Sequence, residues 1–170
     1  MVTTDSRGRT PPTFPMPHGP RWNTARPFVF VGTSAVLAGG VVAAVTGPTG
    51  FDAGSWVAAY LVLVCGVSQL ALGAGLAVLP GTPPAGSVVL AQLLVWNAGC
   101  AAVVLGTLVE VPVVTSLGGL ALVVVLARAL RAVGPGRPEV SGWVLLFRTL
   151  CWFVLVSVPV GLLLAWLRHG

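Results

Sequence analysis

The most constraining feature of the sequence is a series of five apolar runs, each about as long as a membrane is thick: 28–45, 56–79, 88–109, 112–130 and 149–167. Four carry no charge at all, and the fourth ends among arginines at Arg128. A bilayer core about 30 Å thick needs about 20 helical residues to cross it. In lipid every backbone N–H and C=O must be bonded inside the protein, which leaves helices as the spanning form for such runs. The expected fold class is therefore all-α, a polytopic bundle of five transmembrane helices. Composition agrees: the chain is 56% hydrophobic and 8% charged, with mean hydropathy +0.96, whereas soluble domains carry about 25% charged residues. A soluble globular domain is excluded, and so is a largely disordered protein, whose composition runs the other way.

The connectors 46–55, 80–87 and 134–142 are rich in Gly, Pro, Ser or Asp, and the very short third connector, 110–111, is Glu110-Val111. Residues 1–26 are proline-rich, hold Arg7, Arg9, Arg21 and Arg26, and have no periodic apolar face. Such a segment cannot bury enough surface to offset its ordering entropy, so 1–26 is expected to be a disordered basic tail and 27–168 the transmembrane domain. All nine positive charges are Arg. With the N-terminus inside, eight of them face the cytoplasm and only Arg168 lies outside, which sets the orientation N-terminus in, C-terminus out. Asp52 and Glu110 then fall in outer loops. The basic start followed by an apolar run also describes a secretory signal, with Val42-Ala43-Ala44 as a small-residue site, but 18 residues exceed a usual signal core of about 7 to 15. The first run is read as a retained helix.

Local chemistry suggests Ser55, Ser87 and Ser141 as N-caps and Pro112 as the first residue of the fourth helix. Phe51, Trp56, Tyr60 and Trp166 are expected in an outer aromatic belt, and Phe28, Phe30, Trp143 and Phe147 in an inner one. Small residues recur in the first helix at Ala35, Gly39, Ala43 and Gly47, with Gly32 and Gly40 beside them. Heptad pairs follow at Gly66 and Gly73 and at Gly99 and Gly106, then Gly118-Gly119 in helix four; all permit close helix approach. Pro159 predicts a kink in the fifth helix.

Polar side chains inside the spans gather in helices two and three: Ser68, Gln69, Gln92, Trp96 and Asn97. Counting at 1.5 Å per residue places Gln69 and Asn97 both roughly 14 Å from the inner surface. They are expected to share an interhelical amide hydrogen bond, of about 0.6 kcal/mol. Two readings of the cluster stand: a pocket for a small ligand or lipid head, and polar glue between helices. Glu110, in the tight outer turn, reads either as a gate or as an interfacial acid near the positive end of helix four.

Chemistry is otherwise sparse. Cys65, Cys100 and Cys151 lie in spans with no Cys-x-x-Cys pair; contact between Cys65 and Cys100 fits their depth, but apolar filler is the expected role. The histidines, His18 and His169, stand at opposite ends of the chain and on opposite sides of the membrane, so no internal haem pair is expected. No cofactor or metal is expected, and no nucleophile with a base or paired carboxylates points to catalysis. The arginines serve topology, and nucleic acid is not an expected partner.

With Trp56-Val-Ala-Ala-Tyr-Leu-Val-Leu-Val and Ala91-Gln-Leu-Leu-Val-Trp-Asn-Ala-Gly in view, the chain resembles small multi-pass membrane proteins of unassigned function from high-GC actinobacteria, over residues 28–167. The exclusive use of Arg, with abundant Gly, Ala and Val, agrees with a GC-rich coding sequence. The resemblance implies a five-helix protein of the bacterial plasma membrane and supplies no site residues. The function expected is that of a non-catalytic integral membrane protein, an accessory or assembly subunit working with a membrane-protein partner or its own copies. The alternative is a small oligomeric transporter or channel using the polar cluster.

Overall fold

The computed structural model of the chain describes residues 19–80, 82, 84–132 and, between 142 and 156, positions 142, 144, 145, 147–149, 151, 152 and 156. All secondary structure among them is helical: α1 (Pro20–Thr49), α2 (Gly54–Val78), α3 (Gly86–Leu108) and α4 (Pro112–Ala132). Each is long and apolar enough to cross a membrane. The bounds of α2, α3 and α4 follow the apolar runs closely because backbone groups in an apolar run have no partner but the helix itself. Described residues between 142 and 156 are helical, and Val144, Phe147 and Cys151, at helical spacing, are buried against the rest. The remainder of the fifth run, with Pro159 and Trp166, lies outside the described residues, as do residues 1–18, Ser141 and Trp143.

The helices pair as two hairpins, α1 with α2 and α3 with α4, and contacts between the hairpins are far fewer than within them. Glycine explains the pairing. A Cβ built on Gly32 would lie 3.1 Å from the Gly66 carbonyl oxygen, and one on Gly66 would lie 3.1 Å from that of Gly32. Gly39 sits equally close to the Ala58 carbonyl, and Gly99 faces Gly118 across α3 and α4. Lipid supplies no hydrophobic force between helices, so close backbone packing is what holds them.

This corrects the expected four-residue stripe of α1. Gly32 and Gly39, a heptad apart, make the contact with α2, whereas Gly40, Ala43 and Gly47 face outward. Phe30, Leu37, Val41 and Val45 line the opposite, lipid-facing side.

The start of α1 overturns part of the expected tail. Residues 20–26 are helical rather than disordered, beginning with Pro20 in the first turn, where its missing N–H costs nothing. They are ordered by a specific contact. The Arg21 guanidinium donates from Nη1 to the carbonyls of Ala77 at 3.0 Å, Val78 at 3.2 Å and Pro80 at 3.4 Å, at the C-terminal end of α2. Those carbonyls have no partner within the helix and carry the negative end of its dipole, so a cation satisfies both needs. Arg21→Ala should lower stability by about 1 kcal/mol, a charged-donor contribution reduced by partial exposure. Thermal denaturation in detergent reads this, and an unchanged midpoint would assign no role to the contact.

Two of the expected belt residues belong to the core instead. Phe28 is fully buried against Gly73, and Phe147 is buried with its ring on Gly75. Each ring fills the space a side chain would otherwise take, so its aromatic mass packs between helices rather than anchoring an interface. Trp56 and Tyr60 stack with ring centroids 5.5 Å apart, and Trp56, Phe51 and Phe30 are exposed. The serines also differ from expectation. α2 and α3 start from Ala53 and Ala85 without a side-chain cap, which leaves Ser55 and Ser87 inside the first turn.

Candidate functional site

The buried polar groups collect along the contact between α2 and α3. Seven residues of α2, Leu61–Val67, follow π-helical rather than α-helical bonding. Such segments are rare and recur at functional sites. Within this one, Cys65 faces Cys100 of α3, and the Tyr60 hydroxyl lies beside both sulfurs off hydrogen-bond geometry.

That contact sets the register of two antiparallel helices. Four residues on from Cys65 is Gln69; four back from Cys100 is Trp96. Gln69 and Trp96 therefore stand at one level, and both are 0% exposed. Gln92, one further turn along α3, is 5% exposed. Val89, Gln92, Trp96 and Cys100 form a single buried face of α3 at intervals of three and four residues.

The electrostatic state of this seam is unusual. Gln69 Nε2 and Oε1, Gln92 Oε1 and Trp96 Nε1 are buried without a hydrogen-bond partner among the described residues, as is Tyr60 Oη. Leaving a buried polar group unsatisfied costs about 1 to 3 kcal/mol. The orphans include both donors and acceptors but no charge, so the seam suits only neutral hydrogen-bonding chemistry.

Two residues expected in the cluster do not join it. The Ser68 hydroxyl donates to the Leu63 carbonyl at 2.9 Å, and Asn97 Nδ2 donates to the Leu93 carbonyl at 2.8 Å. The expected Gln69–Asn97 bond is therefore absent, for two physical reasons. A carbonyl one turn back is always within reach of a short polar side chain. Asn97 is also rotated about 100° from the Trp96 position that faces α2. Equal depth did not mean equal direction.

The chain matches no family model, no curated protein and no solved structure. Its site is therefore read from geometry alone.

Near the Arg21 end of the bundle, a cavity of about 500 Å³ opens between the first turns of α1 and α3, lined by Asn23, Thr24, Pro27, Pro84, Gly86, Val89 and Leu90. Its lining comes from segments some sixty residues apart, which no linear motif signals. Val89 connects this mouth to the seam, three residues before Gln92 on the same face. Among the described residues, no three of His, Cys, Asp and Glu gather to hold a metal.

Glu110 sits at the tip of the α3–α4 turn, exposed, with φ 56°. The Val111 N–H bonds the Gly106 carbonyl at 2.8 Å and the Glu110 N–H bonds that of Thr107 at 3.4 Å. This is the Schellman ending of a helix, in which the left-handed position is normally glycine. Glu110 is thus a strained terminator on the surface, and the described residues give it no gating contact. Glu110→Gly should stabilise the fold by about 0.5 to 1 kcal/mol, the relieved strain less the added entropy of the unfolded chain. A fall in melting temperature would mean the carboxylate does something that the turn geometry does not show.

Proposed function

We propose that the protein is a non-catalytic multi-pass membrane protein that works as an accessory or assembly subunit. The observation that carries this reading is where its polar groups go. Ser34, Thr46, Thr49, Ser68, Asn97 and Thr107 donate to carbonyls of their own helices. Gln69 and Trp96 are sealed inside the seam. The outward faces of the described helices are left apolar and studded with small residues, including Gly40 and Gly47 with open space around them. Such faces suit lipid or another membrane helix, and a seam whose polar groups are buried gives a hydrated solute no continuous path.

In this reading the bundle has five helices in the bacterial plasma membrane, with α1 retained, the N-terminus inside and the C-terminus outside. The arginine distribution supports that orientation, and a reporter fused at the C-terminus then reads extracytoplasmic. The seam's unpartnered amides favour a second reading, a small transporter or channel whose path opens along Gln69, Gln92 and Trp96.

One experiment separates the two. Extracted from its native membrane in mild detergent, a subunit brings a membrane-protein partner at near-equal amount. A transporter comes out alone or as a homo-oligomer and supports solute flux in liposomes. Isolation without a partner would overturn the subunit reading.

A further inference from the structure

The interface between the two hairpins brings two cysteine thiols together. Cys65 and Cys100 come from different hairpins, belong to one buried cluster where the Leu61–Val67 segment of α2 meets α3, lie within side-chain reach of each other, and are 5% and 3% exposed. Within each hairpin the helices are joined by glycine contacts and a short turn, whereas the hairpins meet through few contacts. The seam below the two thiols is lined by the Gln69 amide, the Gln92 Oε1 and the Trp96 indole N–H, which have no hydrogen-bond partner among the described residues. Between the hairpins the helices touch over a short stretch only, and the two sulfurs are buried within it. A covalent bond there would do what the surrounding contacts do poorly.

We infer that Cys65 and Cys100 form a reversible oxidative modification site, a disulfide that latches hairpin α1–α2 to hairpin α3–α4. Both sulfurs lie in an apolar interior at the sparse contact between the hairpins, so the matching oxidant is a lipid-soluble two-electron acceptor of the quinone class, admitted from the bilayer as the hairpins part, rather than a charged water-soluble one. Two S–H bonds break, one S–S bond forms, and the two electrons and two protons pass to the quinone, which leaves as hydroquinone. The latch is electrically neutral before and after, as its surroundings require. The third thiol, Cys151, is likewise buried and belongs to the fifth apolar run. The π-helical stretch around Cys65 gives that segment of α2 its own local geometry at the latch.

The test counts thiols on the full-length protein in proteoliposomes. A fully ring-substituted benzoquinone is added, one that cannot itself add to sulfur, and the protein is then denatured and labelled with a maleimide polymer that retards each modified chain. Untreated protein shows three labels, matching its three cysteines. The quinone should leave one, within a single chain, and dithiothreitol should return all three. Cys151→Ala should fall from two labels to none, while Cys65→Ser and Cys100→Ser should each keep two. Three labels after treatment would overturn the site. So would a loss that dithiothreitol does not reverse, a crosslink between chains, or a loss persisting in Cys65→Ser. Because Cys151→Ala retains both latch residues, the proposal stays testable even if a serine variant fails to assemble.

Discussion

Gly118→Ala is expected to destabilise the bundle by about 2 to 3 kcal/mol, the upper part of the range for overpacking in a close-packed interior. The reason is the identity of the atoms it would meet. A Cβ at Gly118 lies 2.7 Å from the Gly99 carbonyl oxygen and 2.8 Å from the Val103 nitrogen, both backbone atoms of α3. Neither can rotate away as a side chain can, so the two helices must separate along their contact. Gly40→Ala makes the same chemical change where nothing lies within 4 Å. There the gain in helix propensity should stabilise by up to about 1 kcal/mol. Denaturant titration in detergent of the two variants beside the parent reads the contrast. Equal effects of one sign would show that the α3–α4 glycines do not set the helix approach.

Gln69→Leu is expected to raise stability by about 1 to 3 kcal/mol, an inversion of the usual outcome for a core substitution. Gln69 is 0% exposed and both ends of its amide lack a partner. Removing that amide removes its desolvation penalty, and leucine nearly conserves the volume. If Gln69 were glue to Asn97, the same substitution would cost about 0.6 kcal/mol, and a double-mutant cycle with Asn97→Leu would show coupling. The structure leads us to expect coupling near zero, because Asn97 is committed to the Leu93 carbonyl. A destabilised Gln69→Leu would mean that the amide finds a partner in the membrane, and would favour the transport reading of the seam.

The helices themselves were legible from their apolar runs. In lipid a helix is obligatory once a run is long enough, so length and hydropathy decide its existence without tertiary help. The start at Pro112 shows this, as do ends within two residues for α2, α3 and α4. The start of α1 was not legible, since Arg21 is ordered by carbonyls more than fifty residues away. Glu110 was singled out for its charge, yet its distinctive feature is a left-handed backbone, which no charge pattern encodes.

The candidate site divides in the same way. Gln69, Gln92 and Trp96 were recognisable because a polar side chain in a span must be accounted for, and the approximate level of Cys65 with Cys100 followed from depth. Direction around the helix axis was not recoverable. Ser68 and Gln69 differ by one residue, as do Trp96 and Asn97, but only Gln69 and Trp96 are sealed in the seam while their neighbours bond their own helices. Sequence alone determined that this is an all-helical chain with spans fit for a bilayer, because hydrogen bonding in lipid is a local requirement. Tertiary structure alone decided which glycines touch, which aromatics are core, and which polar groups are stranded, because those depend on how helices of nearly uniform hydrophobicity rotate against one another.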